Sequence, residues 1–221
     1  LTYTHPRPGN PDMLEPAGPI DPEVGVIGAW SADGKELLGC VVNWACHATT
    51  SPSGISANYV HYLEKALRGV MGKDIVVCFL NGASGNITQV DNRNPVRQSG
   101  EEAAIKVGGS VGAEAAKVLL QMQFRATEAP LDFKVKTLEI ARRKPSAKRL
   151  AAARELAGRP RTSKDNVTDW TFAKEILLLD ALIAAEPVRT VEVQAIQIGP
   201  AVFLTTPAEY FCQFGLDQKK A

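Results

Sequence analysis

The sequence predicts an α/β protein: mixed β-sheet layers flanked by α-helices, with a helical hairpin inserted between strands. Three observations predict it. Short apolar runs rich in β-branched residues, such as 74–80 (DIVVCFL), read as interior strands. They alternate with longer segments of helical apolar period, such as 56–71. A basic, alanine-rich stretch and a second helical pattern then stand between two strand patterns, at 146–157 and 169–185.

Taken in order, residues 1–23 are rich in Pro, Gly and Asp and read as loop. Two strands, 24–30 and 37–44, flank the turn at 31–35 (SADGK). Ser56 is placed to cap a helix ending at Met71, with Val60, Leu63, Leu67 and Val70 as its apolar stripe and Gly72 as its stop. The DIVVCFL strand follows, so this stretch reads as a βαβ unit. Residues 101–124 form a second helix with Ile105, Val111, Ala115, Val118, Leu119 and Met122 inward. Gly108, Gly109 and Gly112 weaken that helix by about 1 kcal/mol each relative to Ala, which makes sense if another backbone packs closely there. A strand at 131–142, the helical hairpin, and strands at 191–198 and 201–206 come next. Pro207-Ala208-Glu209 then opens a terminal helix, with Glu209 in its first turn.

A chain of 221 residues with 45% hydrophobic and 22% charged content holds a sizeable core, as one large domain or a domain plus an excursion. A net charge of +1 gives no global field toward nucleic acid or anionic membrane. The basic run of the helical hairpin has no interleaved aromatic residues and reads as a solvated face. Cys40, Cys46, Cys78 and Cys212 form no CxxC pair, which argues against zinc held by thiolates. They are expected as free, buried thiols, with one disulfide left open. No run is long and apolar enough to span a bilayer, and no signal-peptide pattern is present. Both ends read as cut, so the expectation is a fragment of a longer chain.

Chemistry concentrates at two strand ends, 43–50 (NWACHATT) and 79–89 (FLNGASGNITQ). In open α/β sheets ligands bind beyond the carboxyl ends of the strands. His47 leaves the first strand there; alone it would read as a core histidine bonded to a carbonyl. Glu209 follows the last strand, as a helix-dipole carboxylate or as a metal ligand or general base. Gly82, Gly85 and Asn86 lie on a small-residue loop that could cradle an anion or oxyanion, or simply turn the chain. His61 sits among Glu64, Lys65 and Arg68 on a solvated face. A histidine and a carboxylate from separate strand ends suit a zinc hydrolase, although no HExxH motif is present. Asn86-Ile87-Thr88 and Asn166-Val167-Thr168 match the glycosylation sequon, a frequent tripeptide given little weight.

Five stretches, in order, resemble the neutral/alkaline (non-lysosomal) ceramidase family. Residues 2–5 (TYTH) with 18–25 (GPIDPEVG) are similar to its His-Thr-His segment and following loop, and 43–49 to its second histidine motif. Residues 55–59 (ISANY) are similar to its Ser-Ala-Asp-Tyr helix start. Residues 85–89 (GNITQ) match its Gly-Asp-Val-Ser-Pro loop, and 207–211 (PAEYF) its Pro-Gly-Glu-Xaa-Phe motif. The resemblance spans nearly the whole chain and implies a partial N-terminal catalytic domain over 1–221, in a fragment of a divergent bacterial-type member. The hairpin, about 144–187, stands as an insertion, and the C-terminal part of the family architecture is missing.

The resemblance implies a Zn2+-dependent amidase that cleaves the N-acyl bond of ceramide-like lipids, hence a place in sphingolipid metabolism. By carry-over His47 and Glu209 are zinc ligands, with Tyr3 where the family has its first ligand histidine. His5 assists at the metal or the oxyanion, and Thr88 takes the place of a loop serine. Asn58 and Asn86 replace carboxylates, and the family's tyrosine ligand would lie beyond Ala221. The implied partner is a small lipid-like amide, with a membrane surface compatible and no nucleic acid; oligomeric state stays open. A secreted or periplasmic location follows from the resemblance alone. The alternatives are a non-catalytic relative that binds a lipid or sugar, and a zinc hydrolase of another amide or ester.

Overall fold

The computed structural model describes residues 6, 8–122, 126, 128–163 and 165–221. The chain divides into two compact units, 1–129 with 208–221, and 130–207.

The first unit carries a mixed sheet of β1 (Gly25–Trp30), β2 (Leu37–Trp44) and β3 (Val76–Asn81), in the order β1-β2-β3. β1 and β2 form an antiparallel hairpin, whose turn uses the positive φ of Gly34 and an Asp33 carboxylate that accepts from the Ser31 hydroxyl at 2.7 Å. β2 and β3 are parallel, joined by α1 (Tyr59–Met71), so the expected βαβ unit forms. α2 (Glu101–Gln121) lies along α1, and α5 (Cys212–Lys220) belongs to the same unit. The core sets Leu37, Cys40 and Val42 of β2 against Leu63 and Leu67 of α1 and Val111, Ala115 and Leu119 of α2.

Several expectations shift by a residue or a face. Asn58, not Ser56, caps α1; its Oδ1 accepts from the Tyr59 N–H at 2.9 Å. The helix buries Tyr59, Leu63 and Leu67, one face at i, i+4 and i+8, and leaves Val70 57% exposed. On α2, Ile105 is 50% exposed, while Ala104, Gly108 and Gly112 are buried. Small residues win because α1 approaches so closely. A Cβ on Gly108 would strike the backbone of Tyr59 and Leu63, and one on Gly112 would stand 2.6 Å from the Leu63 carbonyl oxygen. Gly109 meets nothing within 4 Å, so close packing explains two of the three glycines.

Among the described residues β3 pairs with β2 alone, and it is half-buried and not interior: Val77 and Phe79 pack on the core while Val76, 67% exposed, and Cys78 face outward. Cys40, Cys46 and Cys212 are buried, and all four thiols are free.

In the second unit β4 (Leu131–Ala141), β5 (Val188–Ile198) and β6 (Ala201–Thr205) form an antiparallel sheet in chain order. The helical pair α3 (Ala147–Ala157) and α4 (Val167–Ala185) interrupts the β4–β5 connection. Ser146 and Asn166 cap the two helices with their side chains. Ala153 and Ala173 are the buried residues of the pair. Its base is tied where it leaves the sheet: Ala141 pairs with Val188, Arg142 N–H donates to Pro187 O at 3.0 Å, and the Arg142 guanidinium meets Glu186 at 2.6 Å. The hairpin thus shares a unit with all three strands. Among the described residues no helix is long and apolar enough to cross a membrane.

Candidate functional site

β2 and β3 end side by side, at Trp44 and Asn81, and their chains continue as two adjoining loops. The Gly82 N–H donates to the Trp44 carbonyl at 2.9 Å, and a Cβ on Gly82 would stand 3.1 Å from that of Ala45. Loop 82–88 then reaches loop 45–50 at His47, whose N–H donates to Ile87 O at 3.0 Å. The His47 ring is fixed by Nδ1, 2.6 Å from the carbonyl oxygen of Ser84. A carbonyl can only accept, so Nδ1 carries a proton, and Nε2 is the nitrogen left to offer a lone pair when the ring is neutral. Nε2 lies 3.6 Å from Glu209 Oε2.

The same loop places Glu209. Gly85 N–H donates to the Tyr210 carbonyl at 2.7 Å, and Asn86 Oδ1 accepts from Cys212 N–H at 2.8 Å. These bonds hold 209–211 as irregular chain, so α5 starts at Cys212 and not at Pro207. Glu209 therefore precedes the helix rather than sitting in its first turn, and the helix-dipole reading lapses. Its carboxylate is 83% exposed and depends on the backbone around it for placement.

On the small-residue loop three N–H groups are already engaged within the protein. The N–H groups of Gly82, Gly85 and Ile87 already donate to Trp44, Tyr210 and Ser84 carbonyls, and the Asn86 amide oxygen caps α5. The glycines serve close backbone approach. Thr88 is half-buried on the same loop, and its hydroxyl oxygen accepts from Val90 N–H at 3.2 Å. Tyr3 and His5 lie outside the described residues. His61 is exposed on α1, edge-on to Tyr62, as its polar neighbours suggested.

Zinc bound tetrahedrally at about 2.1 Å sets its ligand atoms about 3.4 Å apart. An imidazole nitrogen and a carboxylate oxygen 3.6 Å apart, with the far imidazole nitrogen on a carbonyl, fit that spacing as two donors. Among the described residues no cluster of three His, Cys, Asp or Glu side chains forms. The neighbouring Cys46 is no candidate. Burial pushes its thiol up to about 11, and its Sγ donates to the His47 carbonyl.

Three residues outside the sequence-derived site shape it. Ser84 supplies the carbonyl that orients His47; a main-chain acceptor leaves no mark in residue type. Tyr59 donates its hydroxyl to Cys46 O at 2.7 Å, and Asn81 Oδ1 accepts from Cys46 N–H at 3.4 Å. Both stand in stretches whose other residues drew attention.

No family model matches the chain. No characterised protein matches it in sequence. In fold it is similar to a solved structure described as "Ceramidase complexed with C2", with a TM-score of 0.62 and 16% identity. The similarity covers 96% of this chain and 40% of that one, so the chain spans about two fifths of its neighbour's length. Across both units, the chain shares a ceramidase-like fold.

Proposed function

We propose that this chain carries part of the catalytic site of a zinc-dependent amidohydrolase that cleaves the N-acyl amide bond of ceramide-like lipids. The observation that carries the reading is the His47–Glu209 pair. Two metal-competent donors from distant parts of the sequence converge at 3.6 Å, at the carboxyl ends of parallel strands, on a fold similar to that of a ceramidase. His47 would hold the ion through Nε2 and Glu209 through Oε2, with Tyr3 and His5 proposed to stand near them. Bound zinc supplies a Lewis acid for the amide carbonyl and lowers the pKa of water to about 7. The chain's own part is positional. Ser84 fixes the imidazole tautomer, and Gly85 and Asn86 fix the segment that bears Glu209. The Thr88 hydroxyl is proposed to meet the substrate at the loop's far end.

Elemental analysis of the purified chain, beside release of fatty acid from a short-chain N-acylsphingosine, tests this reading. Near-stoichiometric zinc, lost in both His47→Ala and Glu209→Ala, with hydrolysis that follows the metal, is expected. Zinc binding that survives both substitutions, or a parent that binds zinc and cleaves no N-acyl amide in a substrate panel, overturns it.

A further inference from the structure

Past Trp44 the chain leaves the β2–β3 ladder, so residues 45–47 must satisfy their backbone polar groups elsewhere. At Cys46 side chains do this on both sides. The N–H donates to Asn81 Oδ1, from the last residue of β3, and the carbonyl accepts from the Tyr59 hydroxyl, from the first residue of α1. Tyr59 is fully buried. Its ring lies edge-on to Trp44 at 5.6 Å and to Phe79 at 5.8 Å, so the hydroxyl has little freedom. Asn81 makes a second contact: Nδ2 donates to Ser84 Oγ at 3.0 Å, on the residue whose carbonyl holds His47 Nδ1. Both the chain entering His47 and the acceptor for its ring are thus held by these two side chains.

We propose that Tyr59 and Asn81 form a clamp on residue 46 that aims His47 and fixes its tautomer, as positioning residues for the imidazole. The metal-binding consequence rests on the reading of His47 as a zinc ligand; the tautomer consequence does not. Groups that orient a ligating histidine change metal affinity by about 10-fold to 100-fold when removed.

Two readouts on the full chain test the clamp. In the metal-free, 15N-labelled chain, long-range nitrogen–proton correlations report which ring nitrogen of His47 carries the proton. Competition with a chromophoric chelator reports the zinc dissociation constant. The parent is expected to show one tautomer, protonated at Nδ1. Tyr59→Phe, which keeps the ring, and Asn81→Ala, at an exposed position, are expected to mix in the Nε2-protonated form and weaken zinc binding by about 10-fold or more. Asn81→Asp keeps the acceptor for Cys46 N–H and is expected to recover part of the loss. Variants that melt at lower temperature but keep a single parent-like tautomer and parent-like zinc affinity overturn the clamp, since that pattern belongs to a structural role. A parent with the fixed tautomer and no zinc affinity, whose variants lose the tautomer, upholds the clamp and counts against the metal reading. If Tyr59→Phe fails to fold, Asn81→Ala carries the test alone.

Discussion

Gly85 and Glu209 approach so closely that a Cβ on Gly85 would overlap the Glu209 carbonyl oxygen. The contact is backbone to backbone, so no rotamer change can relieve it. Gly85→Ala is therefore expected to push the 209–211 segment away, breaking the Gly85–Tyr210 hydrogen bond and widening the His47–Glu209 gap.

Overpacking of this kind costs about 1–3 kcal/mol, which chemical denaturation will read. Zinc affinity is expected to fall with it. A Gly85→Ala chain of parent stability and parent zinc affinity would show that the approach is not required.

The α1–α2 glycines give an internal contrast. Gly108→Ala drives a methyl into the backbone of Tyr59 and Leu63, and the expected destabilisation is about 1–3 kcal/mol. Gly109→Ala, one residue away, meets open space in the same helix and is expected to stabilise by up to about 1 kcal/mol. Thermal melts of the two variants should move in opposite directions; equal shifts would mean that helix propensity alone governs this face.

Strands were legible wherever β-branched runs and turn residues coincided, as at 25–30, 37–44 and 131–141. Burial was less so, because it depends on neighbours. DIVVCFL looks interior, yet among the described residues β3 has a single partner strand, and it alternates between core and solvent. The sequence places the start of α1 two residues early because Ser56 and Asn58 are both good caps; in the fold Asn58 Oδ1 accepts from the Tyr59 N–H, while Ser56 Oγ accepts from the Asn58 N–H. The Thr50 hydroxyl and N–H both donate to the Asn58 amide oxygen. Pro207 suggested a helix start, but hydrogen bonds to Gly85 and Asn86, more than 120 residues away in sequence, delay it to Cys212. The convergence of His47 and Glu209 was expected from resemblance. The Ser84 carbonyl that orients His47 could not be read, since every residue has a carbonyl.

The four thiols differ sharply in setting. Cys78 is exposed on β3, whereas burial raises the Cys40 and Cys46 thiols, Cys46 to about 11. The thiolate is the reactive form, so at about pH 8 the folded chain is expected to take one fast equivalent of iodoacetamide, at Cys78. Peptide mass spectrometry locates the label. Fast labelling of Cys46 in the folded state would mean that its loop opens readily and that His47 is less firmly held than its hydrogen bonds indicate.

The turn between α3 and α4 should respond to acid. Asp165 accepts from both Arg159 Nη atoms at 2.8 and 2.7 Å, and from the Thr162 N–H and hydroxyl at 2.7 and 2.9 Å. Hydrogen bonds from Arg159, then those from Thr162, hold its carboxyl well below the ordinary value of 3.8. A depressed folded-state value means that the stabilisation is fully present above the unfolded value and fades as pH falls through the folded one. The melting-temperature difference between the parent and Asp165→Asn is thus expected to be constant from about pH 7 to pH 5 and to shrink below about pH 4. Taking a difference removes the acid sensitivity of every other carboxylate. Asparagine keeps an acceptor for Thr162 while removing the charge that faces Arg159, so the part that fades is electrostatic. A difference that stays constant down to about pH 2 would show that the arginine contact adds nothing to stability.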